Sequence, residues 1–198
     1  MTNSKKLIET ASKYINNTLQ IKLLSDNATK PKRNNLDAGY DIYAAETVIL
    51  EPQQKALIAT DLAVNIPKGY VGLLTSRSGV SSKTHLVVET GKIDAGFQGH
   101  MKINIKNDEQ RLDLESLVNN ERLERNYKEP LVYDINGKKI TNGNPFEVAI
   151  GRKYQINKGE RLAQLVIVPI WTPELEPVKE FSNETARGEK GWGSSGTR

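Results

Sequence analysis

The chain has 198 residues, a formal net charge of +4 and 37% hydrophobic residues, which suits one domain with short extensions. The absence of cysteine excludes disulfide bonds and thiolate metal sites. Basic and acidic residues are intermixed, so we expect no nucleic-acid partner, and the modest positive balance favours a polyanionic small molecule. With no membrane-length apolar run and no signal-like segment, we expect no membrane partner and a cytoplasmic location.

The first 17 residues predict a helical N-terminal extension. Apolar residues recur there at helical spacing, namely Leu7, Ile8, Ala11, Tyr14 and Ile15. Such a helix could dock on the body of the protein or on a neighbouring subunit. It could also fray, as chain termini commonly do, and the sequence leaves these alternatives open.

From residue 18 onward, short runs rich in Val, Ile, Leu or Tyr predict β-strands. The runs are Leu19–Leu23, Thr47–Leu50, Ala56–Val64, Tyr70–Leu74, His85–Val88, Met101–Ile105 and Leu165–Ile170. Turn-forming Pro and Gly residues separate them, as at Pro67-Lys68-Gly69. Many short strands at this spacing predict an all-β sandwich or barrel.

Residues 108–151 predict an insertion with a small structure of its own. The highly charged stretch from Asp108 to Asn126 contains spaced leucines and could form a helix. Leu131–Ile135 then meets Asn136-Gly137, which Lys138–Ile140 follows, and an Asn-Gly pair between such runs predicts a hairpin. A connection of this length is uncommon inside a compact domain and is often functional.

Three short clusters carry groups suited to phosphate or water chemistry. Asp37–Asp41 sets a carboxylate beside a tight backbone, and Arg77-Ser78-Gly79 combines a cation, a hydroxyl and a glycine amide, as phosphate sites do. Glycines bracket Asp94 and Phe97 within Gly91–Gly99. Asp94 could orient a water molecule there, or it could be a solvated turn residue, because turns recruit Asp and Gly readily.

A further cluster, Gly159–Leu165, precedes the most apolar predicted strand. Gln164 could contact a ligand, whereas Arg161 could belong to a salt-bridge network. His85 and His100 lack the spacing of a protein-ligated zinc site. No P-loop sequence is present, and no grouping of Ser, His and Asp suggests a nucleophilic triad.

The last twelve residues, 187–198, contain four glycines, two adjacent serines, one tryptophan and an arginine at each end. Such a segment cannot bury enough apolar surface to order itself. It nevertheless carries a forked cation in Arg187, hydroxyl donors in Ser194 and Ser195, and a flat face in Trp192 for a base. The sequence thus predicts either an unstructured terminus or a lid over a phosphorylated planar ligand.

These clusters match five motifs of the homotrimeric dUTPase family in order and spacing, and the chain therefore resembles that family. The counterparts are Ala38–Ala44, Arg77–Gly79, Gly91–Gly99, Gly159–Leu165 and Arg187–Gly196. The resemblance implies a jelly-roll-like β-barrel formed by residues 18–107 and 152–181, with a flexible C-terminal lid at 182–198. It also implies a homotrimer with shared active sites that hydrolyses dUTP to dUMP and pyrophosphate.

The resemblance further implies a role for each matching residue. Asp94 would orient the water that attacks the α-phosphorus, with Arg77 and Asp41 as the other catalytic residues. The implied substrate contacts are Ser78, Gly79, Gly91, Ile93, Phe97, Gln164, Arg187, Trp192, Gly193, Ser194 and Ser195. Mg²⁺ is the implied cofactor, held by the triphosphate without a direct protein ligand and linked to Asp41 through water.

The chain also departs from the family pattern. Phe97 stands where the family usually has Tyr beneath the deoxyribose, and Gly96 stands where many members have an acid. The 108–151 insertion resembles an extra segment of phage-encoded members, so we expect a phage or prophage gene in a bacterial host. Some phage members bind repressor proteins, which makes residues 108–151 a candidate surface for such a partner.

Two other functions remain open from the sequence. One is deamination of dCTP on the same fold, and the other is a regulatory protein in which catalysis is secondary. The tail motif and the turn from Asp94 to Phe97 favour dUTP hydrolysis over deamination. Products distinguish the two reactions, because hydrolysis releases pyrophosphate from dUTP and deamination releases ammonia from dCTP.

Overall fold

The computed structural model describes residues 18–111, 132–140, 151–183, 185 and 188. The helix predicted over residues 1–17 lies outside the described residues. So do all but the first four positions of the helix predicted from Asp108 to Asn126, and almost all of the predicted lid.

The described residues form β-strands and one short helix. In chain order they are β1 Gln20–Leu23, β2 Tyr40–Tyr43, β3 Val48–Leu50, β4 Lys55–Asn65, β5 Tyr70–Ser76, α1 Ser78–Ser81, β6 Leu86–Val88, β7 Gly91–Ile93, β8 Met101–Asn107, β9 Val132–Tyr133, β10 Lys139–Ile140, β11 Lys153–Ile156 and β12 Arg161–Pro169. The prediction of an all-β protein is confirmed. In the described part of the chain, no helix is long and apolar enough to cross a membrane.

The strands form three four-stranded sheets, in the orders β1-β4-β8-β6, β10-β9-β11-β3 and β2-β12-β5-β7. Between the described strands the pairing is antiparallel, except where β9 runs parallel to β11. The expected jelly-roll-like fold is confirmed, although in the described residues the strands pair into three separate sheets rather than one closed cylinder. The architecture is jelly-roll-like in that separate antiparallel sheets share one core.

The core follows from alternating side chains on these strands. In β8, Met101, Ile103 and Ile105 are at most 1% exposed, while Lys102 and Asn104 between them lie on the opposite, more exposed face. Ile42 of β2 and Leu165 of β12 join the same core cluster. Burying each such aliphatic side chain contributes about 1.5–3 kcal/mol, so the core fixes the register of the sheet that carries the site residues.

The predicted Asn-Gly hairpin is confirmed in its strands and differs in its turn. Strands β9 and β10 pair through Lys139 opposite Tyr133, so the turn spans five residues rather than two. The Asp134 carboxylate shapes this turn, because its Oδ1 accepts the N–H groups of Asn136 at 2.9 Å and Lys138 at 2.8 Å. A side-chain oxygen that pairs with the local backbone is a common way to stabilise a longer turn.

Candidate active site

One face of the sheet β2-β12-β5-β7 gathers polar residues from three of the clusters. On adjacent strands, Gln164 of β12 lies opposite Asp41 of β2 and opposite Thr75 of β5. Residues opposite each other in an antiparallel pair point to the same face, so Asp41 and Gln164 share a face. Arg77 follows the last residue of β5 and continues that face beyond the end of the strand.

A β-bulge adds Arg161 to the same face. The register of β12 against β2 shifts between Arg161 and Ala163, so Arg161 lies opposite Tyr43. In a regular strand, residues 161 and 164 would point to opposite faces, and the extra residue brings them to one face. The prediction that Arg161 belongs to a salt-bridge network is confirmed by its ion pair with Asp41, but sequence periodicity does not reveal the shift that brings it to this face.

The Asp41 carboxylate lies between two guanidinium groups. Its Oδ1 is 2.7 Å from Nε of Arg77, and its Oδ2 is 3.3 Å from Nη1 of Arg161. The Nη1 of Arg77 also donates to the carbonyl oxygen of Arg161 at 3.2 Å. Arg77 is thus held at two points, and its remaining N–H groups stay available to an anionic ligand, because a guanidinium has five.

Gln164 is oriented by a glycine in the first cluster. Its Nε2 donates to the carbonyl oxygen of Gly39 at 3.3 Å. A Cβ at position 39 would lie 2.6 Å from the carbonyl oxygen of Leu165 and 2.7 Å from Cγ of Gln164. Position 39 therefore requires glycine for close packing of β12 on this segment.

Ser78 and Gly79 are exposed at the start of α1, directly after Arg77. A Cβ at Gly79 would meet nothing within 4 Å in the described structure, and Gly79 does not have a positive φ. Neither packing within the described chain nor backbone strain explains this glycine. Close approach of a ligand or of another copy would explain it.

The turn after β7 carries the residues expected to contact the base and the attacking water. Gly91 and Ile93 belong to β7, where they pair with Leu74 and Gly72 of β5. Asp94 follows as an exposed residue whose carbonyl oxygen accepts the N–H of Phe97 at 3.0 Å. A solvated carboxylate at the rim of a turn is free to hydrogen-bond a water molecule.

Phe97 covers the backbone of the same turn. Its ring lies over Gly99, where an added Cβ would be 2.9 Å from Cζ. Phe97 is 42% exposed as a residue, so part of its surface remains available for a further contact. Gly96, between Asp94 and Phe97, has open space around its Cα in the described structure.

A single chain does not bring these two groups of residues together. Because β7 runs antiparallel to β5 and Ile93 lies opposite Gly72, Asp94 lies near the level of Val71 at the beginning of β5, while Arg77 follows the other end of that strand. The distance along β5 is about 20 Å, from about six residues at 3.3 Å each. The cluster of Asp41, Arg77, Arg161 and Gln164 is referred to below as the arginine cluster, and residues 94–99 as the Asp94 turn.

Comparison with known proteins agrees with the motifs. The family model described as dUTPase matches residues 26–115 and 148–196, which is more than half of the chain. The chain belongs to the dUTPase family. The resemblance inferred from the five sequence motifs is thereby confirmed.

Solved structures of family members cover nearly the whole chain. The dUTPase of Staphylococcus bacteriophage 80alpha, with dUPNHPP, is 57% identical with a TM-score of 0.78, and the match covers 91% of this chain and 99% of that one. The dUTPase of phage phi11 of S. aureus is 57% identical with a TM-score of 0.71, and the match covers 84% and 99%. Its structures are described as visualising a species-specific insert and, in a variant, the coordination of a structural Mg(II) ion.

A bacterial relative matches a similar share of the chain at lower sequence identity. The deoxyuridine 5'-triphosphate nucleotidohydrolase of Mycobacterium marinum is 33% identical over 189 residues, which covers 92% of this chain and 97% of the relative. Among the residues described for this dUTPase-family chain, no three His, Asp or Glu side chains group as they would around a metal ion. The predicted lid residues Arg187, Trp192, Gly193, Ser194 and Ser195 lie outside the described residues.

Proposed function

We propose that the chain hydrolyses dUTP to dUMP and pyrophosphate, with Mg²⁺ as its cofactor. Membership of the dUTPase family and near full-length similarity to named dUTP nucleotidohydrolases support this reaction over dCTP deamination or a purely regulatory role. The observation that carries the proposal is the arginine cluster, an Asp41-anchored Arg77 beside Gln164. Such a site suits a polyphosphate, since Arg binds phosphate oxygens with two parallel hydrogen bonds.

The active site would be shared between three copies of the chain. The separation of about 20 Å along β5 between the arginine cluster and the Asp94 turn supports a shared site, because one nucleotide must contact both. The segment after β12 also exposes three large apolar side chains, with Trp171, Leu175 and Phe181 at 87%, 92% and 87% exposure. Exposed apolar segments of this size commonly pack on a partner subunit.

The arginine cluster would bind the phosphate chain. Arg77 would use the N–H groups left free by Asp41 and Arg161, and Ser78, Gly79 and Gln164 would add neutral donors. These groups would stabilise the charge that develops on the phosphoryl oxygens in the transition state. Phosphoryl transfer needs little covalent chemistry from the protein, so positioning and charge stabilisation would provide most of the rate enhancement.

Asp94, contributed by a neighbouring copy, would orient the attacking water. A carboxylate that accepts a hydrogen bond from water directs one lone pair of that water toward the α-phosphorus and can take up its proton. Attack in line expels pyrophosphate from the opposite side. The oriented carboxylate contributes by holding the water at reacting distance from the α-phosphorus.

The nucleoside would bind along the Asp94 turn. The backbone around Gly91 and Ile93 would pair with uracil, and a close wall would reject the thymine methyl sterically, because attraction alone discriminates one methyl weakly. The exposed part of Phe97 would pack under the deoxyribose. Phe97 lacks the hydroxyl of the usual family tyrosine, so it would keep the packing and lose one possible hydrogen bond.

The described residues fit a Mg²⁺ ion whose ligands come mainly from the substrate. No cage of three acidic or histidine side chains is found among them, and Mg²⁺ commonly keeps several waters and binds substrate phosphates. Asp41 would hold one of the metal-bound waters. When bound, the ion would neutralise charge on the triphosphate and fix its geometry.

The C-terminal residues 182–198 would form a lid over the site of a neighbouring copy. Arg187 would contact the terminal phosphate, Trp192 would stack on uracil, and Gly193, Ser194 and Ser195 would approach the phosphates. Truncation before Arg187 is expected to leave a folded protein with poor turnover.

The biological setting is a further part of the proposal. Similarity to two phage dUTPases supports a phage or prophage gene acting in the bacterial cytoplasm. The 80alpha protein is described in terms of a G protein-like mechanism. A repressor partner that binds residues 108–151 of this chain remains a prediction.

A nucleotide panel tests the reaction. Purified protein with Mg²⁺ should release pyrophosphate rapidly from dUTP and far more slowly from UTP, dTTP and dCTP. Ammonia release from dCTP would instead support the deaminase. Absence of pyrophosphate release from dUTP would refute the proposed function.

A further inference from the structure

The segment after α1 links the expected phosphate-binding turn to the rest of the protein. Residues 82–85 connect α1 to β6, and their backbone N–H groups bond back to the turn. Ser82 donates to the carbonyl oxygen of Ser78 at 3.0 Å, and Thr84 donates to that of Val80 at 3.1 Å. A displacement of this segment would therefore move Ser78 and the adjacent Arg77.

The hairpin at residues 132–140 packs closely against residues 82–85. Gly137, in the hairpin turn, has a φ of +75°, and a Cβ at this position would lie 2.5 Å from the carbonyl oxygen of Lys83. The hairpin is itself anchored, because Ile135 is buried in the main core cluster. The anchored hairpin thus contacts the 82–85 segment, and the glycine at position 137 permits this close approach.

His85, at the end of the segment, is held from the two flanks of the predicted insertion. Its N–H donates to the hydroxyl of Tyr154 at 3.1 Å, and its carbonyl oxygen accepts the N–H of Asp108 at 2.8 Å. Its Nε2 also lies 3.0 Å from Oε2 of Glu109. Lys83 thus lies against the hairpin, and His85 is held by residues that lie in or beside the insertion.

We propose that the 132–140 hairpin, through Lys83, and the flanking residues Tyr154, Asp108 and Glu109, through His85, together position the phosphate-binding turn. The proposal rests on the proposed function, since it assigns the arginine cluster and Ser78 to the substrate phosphates. The insertion then supports substrate binding by positioning this turn, whether or not it also binds a partner. Small displacements far from the reacting atoms are costly because transition-state contacts require sub-ångström placement.

Substitution of two glycines separates positioning from backbone strain. Gly137→Ala introduces both a strained φ and a clash with Lys83, whereas Gly69→Ala introduces the same strain, at a φ of +85°, into open space. Isothermal titration with α,β-imido-dUTP should show affinity about tenfold weaker for Gly137→Ala and nearly unchanged for Gly69→Ala. Wild-type affinity in Gly137→Ala would overturn the proposal.

Binding of deoxyuridine distinguishes a local loss of phosphate contacts from general disruption of the site. It lacks phosphates, so its binding, followed by NMR, should be unchanged in Gly137→Ala. A proportional loss of affinity for deoxyuridine and imido-dUTP would show general disruption and would also overturn the proposal. If wild-type protein with Mg²⁺ released no pyrophosphate from dUTP, the proposed function would fail instead.

A second pair of variants covers the case in which Gly137→Ala does not fold. Tyr154→Phe removes the hydroxyl that accepts the His85 N–H, and Tyr133→Phe removes a hydroxyl from the neighbouring ring, 6.1 Å away between centroids. Tyr154→Phe should weaken imido-dUTP binding about threefold, a smaller loss because one bond of the support is removed. Equal affinities for the two variants would contradict the proposal.

Discussion

The arginine cluster and the Asp94 turn differ in how far one chain completes them. In the arginine cluster, Asp41 bridges two guanidinium groups and Arg77 is fixed at two points before any ligand binds. In the Asp94 turn, the carboxylate and the Phe97 ring are exposed. In the proposed site, the phosphate end would thus be preorganised within a chain, whereas the base and water end would gain its partners on assembly.

We expect the largest effect on turnover from a substitution in the Asp94 turn. Asp94→Asn should lower kcat by about 10³-fold, because a general base contributes 10²–10⁴-fold and the amide no longer takes up a proton. Affinity for imido-dUTP should stay near the wild-type value, since the loss affects the transition state. Single-turnover kinetics checks the rate, with the exposed Asp26→Asn as control, and normal turnover would remove Asp94 from its role.

Arg77→Lys tests whether catalysis requires a guanidinium group held in a fixed orientation. Lysine keeps the charge but cannot bind Asp41 and a phosphate with separate, fixed N–H groups, so kcat/KM should fall about 10²-fold. Pyrophosphate release from dUTP measures the change. A variant that retains wild-type kcat/KM would show that the contacts with Asp41 and Arg161 serve no catalytic purpose.

Gly39→Ala tests the packing that orients Gln164. The added methyl would lie 2.6 Å from the carbonyl oxygen of Leu165, so the free energy of unfolding should drop by about 1–3 kcal/mol. The KM for dUTP should also rise, because the Gln164 amide loses its support. Denaturant unfolding and steady-state kinetics check both effects; Gly79→Ala, with open space around it, should leave stability unchanged.

The smallest expected effect lies away from both regions, at Asp108. The hydrogen bond from Lys106, reinforced by its charge, lowers the pKa of Asp108. A lowered folded-state pKa stabilises the protein above the unfolded pKa, and this stabilisation is lost as the pH falls through the folded value. The small Tm deficit of Asp108→Asn at pH 7 should therefore begin to shrink as the pH falls below about 4 and disappear once the pH is below the folded-state pKa; a deficit that stays constant through this range would exclude the ion pair as its cause.

Sequence patterns predicted the strands that alternate or are strongly apolar, and they missed strands within motifs. Tyr40–Tyr43 is a strand, although its glycine and aspartate neighbours favour a turn, because pairing with β12 supplies its hydrogen bonds. Strand β12 begins at Arg161, four residues before the predicted start, because the bulge extends its pairing. Local propensity cannot report such partners from distant sequence.

Within the candidate site, the sequence predicted the residue types but not the contacts that depend on packing between distant segments. The motifs identified Asp41, Arg77 and Gln164, since Arg and amide side chains donate to phosphate oxygens and a carboxylate can anchor an arginine or hold a metal-bound water. The bridging role of Arg161 depends on a bulge, and the contact of Gly137 with Lys83 depends on how the hairpin packs. Neither geometry has a periodic signature that a sequence would reveal.

Mixing two inactive variants tests the shared site most directly. In a trimer of Asp94→Asn and Arg77→Ala chains, an intact Asp94 and an intact Arg77 meet only across two different chains. Random co-assembly should then restore about one quarter of the wild-type activity, since a productive neighbour pair forms in one of four arrangements. Mixed trimers, verified by native mass spectrometry, that recover no activity would contradict the account.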